Sequence, residues 1–150
     1  MGDPELWETV LGWLAQRRLS RGQVWQRLRR RQVEAGVARR LIERLEADGL
    51  LDDRAYARDL AEAEVRRGRG PAQIWARLRQ RGFDEATIRE TWAGLESTVD
   101  WRTIAESVAA RYDRNDVRDR ERLARKLDRM GFRAAIVQAV LEGQRLDEKS

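Results

Sequence analysis

The sequence predicts an all-α fold built as three tandem three-helix repeats, and three observations carry that prediction. Apolar residues recur at helical spacing along most of the chain, nothing alternates as a strand would, and similar segments return about every fifty residues. Composition agrees: Ala, Leu, Arg and Glu dominate, and only two prolines interrupt 150 residues. With 41% hydrophobic and 38% charged residues, the core must be thin and the exterior strongly solvated.

Repeat 1 covers residues 1–49. Its first helix runs from Glu5 to Arg17, with Leu6, Trp7, Val10, Trp13 and Leu14 on one side. Ser20 with Gln23 forms a capping box for a second helix carrying Val24, Trp25 and Leu28. A third helix turns Ala38, Leu41, Ile42 and Leu45 inward and stops at Gly49.

Repeat 2 covers residues 50–98. Asp52 caps a helix striped by Tyr56, Leu60 and Ala63, and Gly68 and Gly70 break it. Pro71 opens the next helix, where its missing N–H has no helical partner to lose. That helix carries Ile74, Trp75 and Leu78 and ends at Gly82-Phe83, after which Asp84 caps a helix with Ile88, Trp92 and Leu95.

Repeat 3 covers residues 99–150. Asp100 caps a helix bearing Trp101, Ile104, Ala105, Val108 and Tyr112. Leu123, Leu127 and Met130 line the next helix up to Gly131-Phe132. Ile136, Val137, Val140 and Leu141 line the last, and a short polar tail from Gln144 to Ser150 is expected to fray.

The repeats register on one another. A shift of about fifty positions lays Val24, Trp25, Arg27, Leu28, Arg29 and Arg31 on Ile74, Trp75, Arg77, Leu78, Arg79 and Arg81. A shift one residue shorter lays Gly82-Phe83 on Gly131-Phe132. Such units pack side by side into an elongated array.

Reaction chemistry finds little support. There is no cysteine and no histidine, so a disulfide framework, a thiolate metal site and the commonest general base are excluded. Asp52-Asp53 is better read as helix capping than as a catalytic pair, because neighbouring residues at a helix start do not face each other. Gly68-Arg69-Gly70-Pro71 lacks the Lys-Ser/Thr ending of a phosphate loop and follows no strand. Asp113-Arg114-Asn115 begins like a calcium loop, but Arg118 stands where the loop needs glycine. The six tryptophans lie on or beside apolar stripes, so core packing is favoured over base stacking. No enzyme activity, cofactor or metal is expected.

Charge is the remaining signal. The net charge is +5, from 31 basic and 26 acidic residues, and Lys126 and Lys149 are the only lysines. Residues 17–31 and 66–81 are rich in arginine and contain no acid. The second helices place Arg27, Arg29, Arg30 and Arg31, then Arg77, Arg79 and Arg81, then Arg122, Arg125, Lys126 and Arg129 around their apolar stripes, and Arg69 flanks the glycine joint. A repeated basic strip of this kind suits DNA phosphates or an acidic protein groove, whereas isolated arginines are ordinarily just solvated. Arg77 and Arg81, taken as exposed charges, are expected to serve binding and not folding. The N-terminus lacks the pattern of a signal peptide and no apolar run approaches the ~20 residues of a membrane span, so a cytoplasmic monomer is expected.

Leu51-Asp52-Asp53, Tyr56-Ala57, Gly68-x-Gly70-Pro71, Ile74, Leu78 and Arg81-Gly82-Phe83, in this order and spacing, make the chain resemble the RecX family. These proteins are bacterial modulators of the RecA recombinase. In repeat 1, Gln32-Val33 replaces the Gly-Phe ending. The resemblance implies a curved array of three helical repeats that docks in the groove of the RecA–single-stranded DNA filament. There it would limit ATP hydrolysis, strand exchange and coprotease activity, with no catalytic site of its own. A general DNA-binding protein acting on single- or double-stranded DNA is the alternative reading.

Overall fold

The computed structural model describes residues 3–149, with side chains from Pro4 to Gly143. Its described residues form nine helices and no strand: α1 Asp3–Gln16, α2 Arg21–Arg30, α3 Ala35–Ala47, α4 Asp53–Arg66, α5 Pro71–Gln80, α6 Glu85–Thr98, α7 Trp101–Ala109, α8 Val117–Met130 and α9 Ala134–Lys149. None of these helices is long and apolar enough to cross a membrane. Two details depart from the sequence reading. α7 stops at Ala109, which leaves Tyr112 in the following turn, and α9 runs on to Lys149 through the polar stretch expected to fray. Ser150 lies outside the described residues.

Capping side chains fix where the helices start. The Ser20 Oγ accepts from the Gln23 N–H at 3.1 Å, and Gln23 Oε1 accepts from the Ser20 N–H at 2.9 Å, so the capping box forms as read. Asp52, Asp84, Asp100 and Asp116 accept from the backbone N–H three residues ahead. Before α5 the Gly70 N–H donates to Gln73 Oε1 at 2.8 Å, which reproduces the glutamine half of the Ser20 box.

One turn recurs in all three repeats. Gly82 and Gly131 end α5 and α8 at φ 81° and 88°, and the next N–H, of Phe83 or Phe132, reaches back to Leu78 or Leu127. In repeat 1 Gln32 takes the same left-handed conformation, φ 62°, and the Val33 N–H donates to the Leu28 carbonyl at 3.0 Å. The turn is thus kept where its glycine is missing, at a cost of roughly 1–2 kcal/mol for a residue with a Cβ.

The chain divides into two compact units, Met1–Leu60 with Leu78–Thr91, and Ala61–Arg77 with Trp92–Ser150. The division falls inside α4, α5 and α6. In the first unit Leu6 and Val10 of α1, Val24 and Leu28 of α2, and Ala38, Leu41, Ile42 and Leu45 of α3 form one core, with Trp7, Trp13 and Trp25 half-buried around it. Tyr56 meets Phe83 edge-on with ring centroids 5.1 Å apart. In the second unit Leu123, Leu127, Met130, Phe132, Val137 and Val140 are buried. Trp92 stacks on Trp101 at 5.4 Å and meets Trp75 edge-on at 6.1 Å.

Each unit contains the same close helix-end contact. In the first, a Cβ on Gly22 would overlap the Gly82 carbonyl oxygen. In the second, a Cβ on Gly70 would lie 2.6 Å from the Met130 carbonyl oxygen, and one on Gly131 would lie 2.7 Å from the Ala72 nitrogen. The position matching Gly70 in the first unit is Ser20, whose hydroxyl donates to the Arg81 carbonyl at 2.5 Å. Gly70 is therefore small because backbone approaches it, whereas Gly68 takes the positive φ, 78°, that ends α4.

Candidate functional site

The RecX-like signature residues are structural where they can be followed. Asp52 caps its own helix, while Asp53 reaches across to accept from the Arg21 N–H at the start of α2, at 2.9 Å. Burial pushes the Asp53 carboxyl above its ordinary value of 3.8. The Tyr56 hydroxyl accepts from the Arg81 guanidinium at 2.9 Å, and Arg18 lies over the Tyr56 ring at 4.9 Å. Ile74, Leu78 and Phe83 are buried.

The strip arginines proposed from sequence are not equivalent. In α2, Arg27 and Arg31 lie over the Trp13 ring at 5.4 and 5.9 Å, and Arg29 donates to the Val33 carbonyl at 2.8 Å while covering Trp25. In α5, Arg79 pairs with Glu85 at 3.3 Å, and Arg81 holds Tyr56. Arg77 pairs with Glu64 at 3.7 Å. Arg77 and Arg81 are both half-buried and not the exposed charges expected from sequence. In α8, Arg125 and Arg129 are exposed and Lys126 is half-buried.

Glu64 organises the strongest charge cluster. Its side chain is only 6% exposed, and Arg67, Arg69 and Arg77 approach it at 3.4, 3.6 and 3.7 Å. A carboxylate this buried is tolerable only with cations around it. Arg67 and Arg69 still reach water while Arg77 is half-buried, so solvent screens the first two pairs more than the third. Their more evident effect is to fix where the guanidiniums stand.

Beside this cluster the second unit opens a cavity of about 600 Å³. Arg66, Arg67, Arg69, Arg111 and Lys126 line it, together with Tyr112, Val108 and Met130, and no carboxylate does. The sequence reading had singled out Arg69 and Lys126 among these. Arg66 and Arg67 belong to the acid-free run it noted from residue 66 onward, but Arg111 is brought in by the turn after α7, which no local pattern announces. A second cavity, of about 330 Å³ in the first unit, is lined by Arg21 and Arg39 and also by Asp53 and Asp84. Hydrogen bonds from the Thr87 backbone and hydroxyl hold Asp84 below the ordinary value, so this cavity keeps its negative charge.

Residues 52–91 match the family described as RecX, second three-helix domain. Regulatory protein RecX of Halorhodospira halophila is 36% identical over 138 residues, spanning 88% of this chain and 83% of its own. The protein of that name from Pseudomonas fluorescens (strain SBW25) is 29% identical over 144 residues, spanning 93% and 92%. The crystal structure of RecX from Lactobacillus salivarius has the same fold, with a TM-score of 0.77 at 22% identity over 93% of this chain and 94% of that one. Its all-helical repeats, its signature residues and these likenesses place the chain in the RecX family of regulatory proteins.

Proposed function

We propose that this protein is a non-enzymatic regulator of homologous recombination and the SOS response, acting in the cytoplasm as a monomer on the RecA–single-stranded DNA filament. It docks in the filament groove and limits RecA's ATPase, strand exchange and coprotease activity. Membership of a family of regulatory proteins is the observation that carries this reading. The charge pattern supports it: arginines on the second helices, with Arg125, Lys126 and Arg129 the least engaged, suit charge-assisted contacts to acidic side chains or filament phosphates. The test is the DNA-dependent ATPase of the cognate RecA with and without this protein. Inhibition at stoichiometric amounts is expected, and unchanged turnover would falsify the proposal.

The acid-free cavity of the second unit favours one other reading, a protein that binds DNA directly without a recombinase. That reading requires tight binding to bare DNA with a steep salt dependence.

A further inference from the structure

Nothing in the fold of the second unit accounts for the charge around its cavity of about 600 Å³. Folding brings Arg66 and Arg67 from the end of α4, Arg69 from the joint, Arg111 from the turn after α7 and Lys126 from α8 to one concave surface. Arg66, Arg111 and Lys126 have no ion pair among the described residues, and the one carboxylate beneath the cluster, Glu64, is already shared by three guanidiniums. A solvated face would spread like charges apart, since gathering them opposes folding. Helix ends offset part of this, because Arg66 stands in the last turn of α4 and the last turns of helices favour cations. That effect amounts to roughly half a charge per helix, well short of what five cations present.

The rest of the lining says what would satisfy them. Tyr112, half-buried, lines the cavity beside the cations, together with the apolar Val108 and Met130. Cations arranged beside an exposed ring are how single-stranded nucleic acid is held without sequence preference: phosphates meet the guanidiniums and a base lies on the ring. A volume near 600 Å³ admits one or two nucleotides of a splayed strand. A duplex, with its bases stacked inside, cannot turn one onto Tyr112. An acidic peptide would satisfy the charge but leave the ring without a flat partner.

We infer that this cavity holds a short run of single-stranded nucleic acid, with Arg66, Arg111 and Lys126 on its phosphates and Tyr112 against a base. Arg67 and Arg69, tied to Glu64, fix the rim. The inference deepens the proposed function and rests on it for the choice of nucleic acid.

The test uses the full chain at low salt with no recombinase present, so its failure leaves the ATPase test untouched. A fluorescent oligothymidylate of about twelve nucleotides is titrated with the wild type, with Arg66→Glu/Arg111→Glu, and with Arg58→Glu/Arg89→Glu, which makes the same charge change at exposed positions of the first unit. The cavity variant is expected to bind roughly tenfold or more weakly and to flatten the salt slope by about 1.4, at ~0.7 per lost phosphate contact. The control is expected to change binding less than about threefold. Iodouracil in the strand is expected to cross-link to Tyr112 of the wild type. Should the cavity variant lose helicity, Arg111→Gln/Lys126→Gln replaces it. Equal loss in both variants, a cross-link only outside the cavity, tighter binding of the matching duplex, or displacement of the strand by polyglutamate of equal charge would each overturn the inference.

Discussion

The two units each have a cavity lined by arginine, and the cavities differ in what faces it. In the first unit Arg21 and Arg39 share their cavity with Asp53 and Asp84, and Arg21 also pairs with Glu46. In the second, five cations and no carboxylate line the cavity, and Glu64, which pairs with Arg67 and Arg69, is buried. Arginine density alone therefore does not mark a binding surface. What distinguishes the second cavity is that three of its cations, Arg66, Arg111 and Lys126, have no ion pair among the described residues, and a polyanion is the natural partner of unmatched charge.

Substitutions that strike both units can break this comparison or sharpen it. The largest expected effects come from the close helix-end contacts. Gly22→Ala in the first unit and Gly70→Ala in the second each drive a methyl group into backbone carbonyl, and each should destabilise by about 1–3 kcal/mol in urea unfolding. At Gly22, inside α2, that outcome outweighs the gain of up to ~1 kcal/mol that alanine ordinarily brings to a helix. Stabilisation by either change would show that the contact it probes is not close.

Next come the carboxylates. Glu64→Gln leaves three guanidiniums around a neutral amide and should cost about 1–3 kcal/mol, limited because the arginines reach water. Asp53→Asn keeps an acceptor for the Arg21 N–H and removes a charge that burial disfavours, so a change within ~0.5 kcal/mol is expected. Equal costs at the two sites would erase the difference between the units. Of similar size but opposite sign, Gln32→Gly should stabilise by about 1 kcal/mol, measured as a higher denaturant midpoint with unchanged slope.

The smallest effects are in pH dependence. Asp84 is held below its ordinary 3.8, so its stabilisation is complete above that value and is lost as pH falls through the lowered one. Asp53 is raised, so its ionisation costs stability, and acidification through the raised value relieves that cost. Melting temperatures followed into acid should accordingly fall less steeply for Asp84→Ala than for the wild type, and more steeply for Asp53→Asn.

Much of the fold was legible because helix signals are local. The Ser20–Gln23 box, the aspartate caps and the glycine stops lie within a few residues of what they control. The turn at Gln32 was not legible as such, since a residue with a Cβ does not ordinarily take φ 62°. The role of Gly70 was also hidden, because the carbonyl that crowds it comes from Met130, sixty residues on. For the candidate site, the sequence pointed to arginine and stopped there. It could not separate Arg27 and Arg31, laid on Trp13, from Lys126 at the cavity, nor bring Arg111 beside Arg66, because those distinctions arise from tertiary contacts.

The most direct measurement is a parallel titration at physiological salt, with labelled protein added to the cognate RecA–single-stranded DNA filament and to the same strand bare. Saturable binding to the filament, at least about tenfold tighter than to the strand, is the expected result. Equal affinity for both, or no binding to the filament, would contradict a regulator that docks on the filament.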